Sequence, residues 1–196
     1  MGKNRLEAFS DGVIAIIITI MVLEMKVPHG AQPAVLFALW PVFLSYVLSF
    51  VYIGIYWNNH HHLLHAVQRV SASILWANLH LLFWLSLMPF AAGWMGENHF
   101  APLPTALYGV ELLMCACAYW LLVQCIVGVH GRDSVIGRAI GRDLKGNVSL
   151  AVYAIAAPAA YFLDAAIGNA LYVTVAVVWL VPDRRIERAL AAVRHE

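Results

Sequence analysis

Two carboxylates, Asp11 and Glu111, and one imidazole, His80, fall inside long apolar runs of this chain. A charge there costs roughly 2.5–3.5 kcal/mol on insertion scales, so such groups are expected to face protein or water rather than lipid. Together they are the raw material of a proton relay in a secondary transporter. The plainer alternative for each is a polar staple between helices, and for Glu111 a hydrogen-bonded contact is the favoured reading.

The histidines suggest a different chemistry. His61 and His65 stand at i, i+4 on one helical face, with His60 and His62 beside them and His80 elsewhere, a spacing that can hold a metal or build a membrane metalloenzyme. No carboxylate or cysteine lies in that segment to complete a ligand set. No metal, cofactor or catalytic residue is therefore expected, and the protein does not read as an enzyme. Cys115 and Cys117, two apart, point to different faces of a helix, and with Cys125 they read as packing residues.

A third pattern is apolar. Ile16, Ile20 and Leu23 follow i, i+4, i+7 spacing and share one helical face, with Thr19 flanking it. By spacing alone such a stripe is ordinary packing; the alternative is the wall of a pore.

The elements that must position these residues are helices in a membrane. Of 196 residues, 62% are hydrophobic and 12% charged, where soluble domains run at about 45–50% and about 25%, and the mean hydropathy is +0.76. The apolar runs predict an all-α integral membrane protein forming one domain of six helices, at about 4–27, 35–58, 70–94, 105–129, 148–163 and 169–182. The stretch after Lys3 and Arg5 contains Asp11 and Glu24 and lacks a small-residue cleavage site, so a retained helix is expected there rather than a signal peptide. The tail from Asp183 to Glu196 alternates arginine with apolar residues, as an interfacial helix would.

Lys and Arg placement orients the chain. With both termini cytoplasmic, eleven of the twelve basic residues lie inside and Lys26 alone lies outside. There is no basic stripe for nucleic acid, no helix with a regular Arg/Lys ladder and no internal repeat, so a pore would have to come from assembly of several copies.

The segment Arg5-Leu-Glu-Ala-Phe9-Ser10-Asp11-Gly12, running on to Thr19 and Glu24, resembles the R-x-x-x-F-S-D signature of the transmembrane protein 175 family of potassium channels. The segments from Tyr56 to His61 and from Asn78 to Phe90 are similar to the corresponding family segments. That resemblance implies six helices per repeat, a homotetramer in the lipid bilayer, and four copies of the first helix around an axis that conducts K+. The T-V-G-Y-G filter of P-loop channels is missing. Carried over by position, the narrowest apolar ring falls on Ile16, with rings at Ile20 and Leu23 and a hydroxyl layer at Thr19. Arg5, Phe9, Ser10 and Asp11 are implied to brace this helix against its neighbours. Asn78 and His80, at a depth matching Asp11, are its expected partners. A leak-like cell-membrane channel is the reading, with the proton-linked transporter of Asp11, His80 and Glu111 as the alternative.

Overall fold

The computed structural model describes residues 2–132, 134, 137–138 and 143–181. The tail from Asp183 to Glu196 and most of the basic connection after Arg132 lie outside the described residues.

All regular structure among the described residues is helical: α1 Lys3–Leu23, α2 Pro33–Phe37, α3 Trp40–Ala66, α4 Ala72–Glu97, α5 Pro102–His130, α6 Leu144–Phe162 and α7 Ala165–Leu180. Four of them, α1, α3, α4 and α5, are long and apolar enough to cross a membrane. α6 has 19 residues and α7 has 16.

The expected helix boundaries shift for local reasons. The second helix, expected at 35–58, is broken in two, because Pro41 cannot donate to the carbonyl a turn earlier and its ring would clash there; α3 restarts with Pro41 in its first turn. At its other end α3 continues through Asn58 to Ala66, so the histidine string is helical. Burial of Leu63, Leu64 and Ala66 holds that extra length in place.

The first helix ends at Leu23 instead of 27. Side-chain caps set three later starts: Ser71 Oγ accepts from Ile74 N and begins α4 at Ala72, two residues after the expected 70, while Asp143 Oδ1 accepts from Gly146 N and Asp164 Oδ1 from Ala166 N, which begin α6 and α7 four residues earlier than expected.

α4 lies in the middle, packed on α1, α3 and α5; α5 carries α6, and α7 closes against α3, α5 and α6. The core is Leu, Ile, Ala, Met and three fully buried tyrosines, Tyr52, Tyr108 and Tyr172. Gly96, Gly109 and Gly168 permit close helix approaches. A Cβ on Gly109 would run into the Tyr172 hydroxyl, and one on Gly96 would meet Val42 Cα at 2.7 Å. α1 is the outlying element, resting on α3 and α4.

Candidate functional site

α1 has two faces with opposite fates. Leu6, Ser10, Ile14, Ile17 and Met21 recur every three to four residues and are buried against α3 and α4. The other face carries Phe9, Ile16, Thr19, Ile20 and Leu23, and it is open. Ile16 is 58% exposed, Ile20 41% and Leu23 76%, although they are among the most apolar side chains of the protein. All four positions expected at the constriction thus lie on the uncovered face. The Thr19 hydroxyl donates to the Ile16 carbonyl at 2.9 Å, which leaves its oxygen lone pairs as the only polar feature it presents outward.

A groove of about 710 Å³ continues this face from Ile16 and Ile20 across to Pro89, Phe90 and Trp94 of α4. Beyond its apolar floor, the Lys26 ammonium meets Glu97 Oε1 at 2.7 Å. The Glu97 hydrogen bond and charge raise the Lys26 pKa above its ordinary value.

The buried face of α1 is pinned by a polar network through the core. Asn78 Nδ2 donates to Ser10 Oγ at 3.0 Å, Ser10 donates to the Leu6 carbonyl at 2.9 Å, and His60 Nε2 lies 2.6 Å from Asn78 Oδ1. Ser10, Asn78 and His60 are all buried, so α1, α4 and α3 are tied at one level of the bundle. Asp11 is held separately, accepting from Trp57 Nε1 of α3 at 3.0 Å. At the helix start, the Lys3 ammonium donates to the His65 carbonyl.

These contacts correct the expected pairing. Asn78 supports Ser10 rather than Asp11, because the two neighbours sit about 100° apart on the helix and only Ser10 faces α4. His80 is exposed and accepts from Trp84 Nε1 at 2.9 Å, one turn along its own helix. Arg5 and Phe9 are exposed, whereas Ser10 and Asp11 each hydrogen-bond a neighbouring helix. His60 and Trp57 do bracing work that the spacing did not single out; the signal was a string of polar residues inside what proved to be a helix.

The other chemistries find separate surroundings. Glu111 is buried and its Oε1 accepts from Cys115 Sγ at 3.0 Å, while Oε2 has no partner. No hydrogen bond or ion pair joins Asp11, His80 and Glu111, each of which has a different neighbour. His61 stacks between Trp57 and His65, with ring centroids 6.2 Å apart on either side. Among the described residues no three His, Cys, Asp or Glu side chains cluster as a metal site would require.

An all-helical bundle with four helices fit to span a bilayer defines a multi-pass membrane protein. The family model described as the endosomal/lysosomal potassium channel TMEM175 matches residues 5–89. A potassium channel from Chryseobacterium sp. is 53% identical over 97% of this chain and 98% of its own length. One from Streptomyces collinus is 36% identical over 61% of this chain and 62% of its own length. A solved structure, titled as a lysosomal potassium-selective channel TMEM175 homolog from Chamaesiphon minutus, superposes with a TM-score of 0.82 at 26% identity, covering 92% of this chain and 97% of that one. The chain belongs to the TMEM175 family.

Proposed function

We propose that this protein is a potassium-permeable channel, a homotetramer in which four copies of α1 surround the conduction path. Ile16, Ile20 and Leu23 form the apolar constriction, and Thr19 adds a hydroxyl layer beside it. The observation that carries this reading is the open apolar face of α1: a helix pinned on one side by Ser10 and Asp11 leaves Ile16, Ile20 and Leu23 exposed on the other, beside an open groove. The relatives are channels rather than enzymes, and three of them are named potassium channels.

α6 and α7 complete six spans per subunit in this reading. At 16 residues, α7 is roughly 24 Å long, short of the hydrocarbon thickness of about 30 Å, so it stands with little tilt or thins the bilayer. Both termini lie on the cytoplasmic side, which keeps all basic residues but Lys26 inside. The groove along Phe90 and Trp94 receives a neighbouring subunit, and the exposed Arg5 and Phe9 meet the same interface.

Four isoleucines facing one another across a narrow axis exclude water, and such a ring gates by dewetting until it widens or rotates. No Arg/Lys ladder is present to sense voltage, so opening is leak-like.

The test is planar-bilayer recording of purified, reconstituted protein under a potassium/sodium bi-ionic gradient, with Ile16→Asn alongside. Single-channel currents with a potassium-biased reversal potential, altered in the variant, support the reading. Electrically silent protein with intact oligomers overturns it.

A further inference from the structure

α1 ends against a rule of helix electrostatics. A helix C-terminus carries partial negative charge, and a basic side chain in the last turn is its usual complement. The last turn of α1 holds no basic residue, and the residue that caps it is an acid, Glu24. Glu24 keeps right-handed helical backbone angles, φ −68° and ψ −20°, so it continues the spiral one turn beyond Ile20, next to the exposed Leu23. Its carboxylate and the end carbonyls of that turn add to one negative field, which nothing in the helix offsets.

The cation at this groove, Lys26, is committed elsewhere. Its ammonium lies 2.7 Å from Glu97 Oε1 at the end of α4. Glu24 acts on Lys26 only through space, and among the described residues it makes no hydrogen bond or ion pair. Its side chain rests over bare backbone instead: a Cβ placed on Gly93 of α4 would lie 3.8 Å from Glu24 Oε2. Glu24, Lys26 and Glu97 all line the groove that continues from Ile16 and Ile20, and two carboxylates against one ammonium leave it one net negative charge. An unpaired carboxylate thus closes the open apolar face of α1 without a packing or pairing gain, and such a broken local rule is the mark of a functional position.

We propose that Glu24 sets the cation supply of the channel, drawing cations to the outer mouth of the pore ahead of the Leu23 ring. This rests on the conduction reading above, in which four copies of α1 surround the path and this end of α1 faces outward. One Glu24 carboxylate and one helix end from each copy raise the local concentration of K+ and lower that of anions before the apolar rings are reached. The ion keeps its water here, because the field attracts it without a fixed set of ligands. Lys26 opposes that field and Glu97 cancels Lys26, so the three side chains set the charge of the mouth together.

The experiment is single-channel recording of the reconstituted full-length protein in symmetric potassium chloride at two strengths. At about 10 mM fixed charge acts over roughly 30 Å, and at about 1 M over roughly 3 Å. Glu24→Gln is expected to cut the current of one polarity, that of ions entering past residue 24, by about two- to five-fold in dilute salt, and to leave it unchanged in concentrated salt. Lys26→Gln strips the opposing charge and is expected to raise the same current, while Glu24→Asp behaves as wild type does. Opposite signs from two neighbouring neutralisations separate a charge effect from damage to the fold. Equal dilute-salt currents in conducting wild type and Glu24→Gln overturn this proposal alone, as does a loss that persists at about 1 M. If Glu24→Gln does not assemble, an unchanged dilute-salt current in Lys26→Gln overturns it. Silent wild-type protein removes the conduction path, and this proposal with it.

Discussion

Asn78 Nδ2 donates to Ser10 Oγ at 3.0 Å across the buried contact between α4 and α1. The same amide presents its oxygen to His60 at 2.6 Å, so one side chain sets the distance of α1 from both helices behind it. The apolar stripe on the opposite face is aimed by this bond, since rotating α1 by one residue would turn Ser10 away from Asn78 and Ile16 away from the open side.

Removing the middle of this network is expected to cost more than removing its end. Asn78→Leu leaves two buried groups, the His60 ring nitrogen and the Ser10 oxygen, without their Asn78 partner, whereas Ser10→Ala strands the Asn78 amide donor alone, at about 1–3 kcal/mol per stranded group. Thermal unfolding in detergent ranks the two; a smaller loss for Asn78→Leu than for Ser10→Ala would show that the network does not anchor α1.

The contact between Gly109 and Tyr172 predicts a coupled pair. Gly109→Ala puts a methyl group against the Tyr172 hydroxyl and is expected to destabilise by about 1–3 kcal/mol. Tyr172→Phe alone loses the bond to the Thr105 carbonyl, but in the Gly109→Ala background it removes the obstructing oxygen. The double variant should be less destabilised than the sum of the two singles; additive losses would mean that the helices part instead of the side chain.

Thr19 and Ile16 separate two properties of the proposed pore. Thr19→Val keeps the shape and removes the hydroxyl, so the reversal potential is expected to move toward equal permeability for sodium and potassium while current persists. Ile16→Asn wets the ring and is expected to raise conductance. An unchanged reversal potential in Thr19→Val would take that hydroxyl off the ion path.

The exposed Lys26–Glu97 pair gives a pH dependence of known sign. Its hydrogen bond raises the Lys26 pKa in the folded protein, so its contribution is fully present below the unfolded lysine value of about 10.4 and is lost as pH rises through the raised folded value. The melting-temperature gap between wild type and Glu97→Gln should therefore be small, shrink in high salt and close in strong alkali. A gap that widened with alkali would contradict the pairing.

Much of this fold is legible from composition and periodicity. Long apolar runs must be helices in lipid, because only a helix satisfies its own backbone there, and Pro, Gly and capping Asp or Ser punctuate them locally. The stripe of Ile16, Ile20 and Leu23 is legible for the same reason: 3.6 residues per turn fixes which side chains share a face. The expected starts at 148 and 169 fall short of Leu144 and Ala165 because the caps, Asp143 and Asp164, lie in polar stretches that hydropathy assigns to loops.

By itself, then, the sequence determined an all-helical membrane chain and which residues of α1 lie on one side. Only the tertiary structure decided which side of α1 is buried, that Asn78 and His60 meet Ser10 while Trp57 takes Asp11, and that His80 and Glu111 have separate partners. Periodicity is a property of one helix and is read along the chain, whereas partner choice depends on the rotation and depth of two helices packed together. In a chain this uniformly apolar, those are set by where a few polar groups and glycines meet across the bundle.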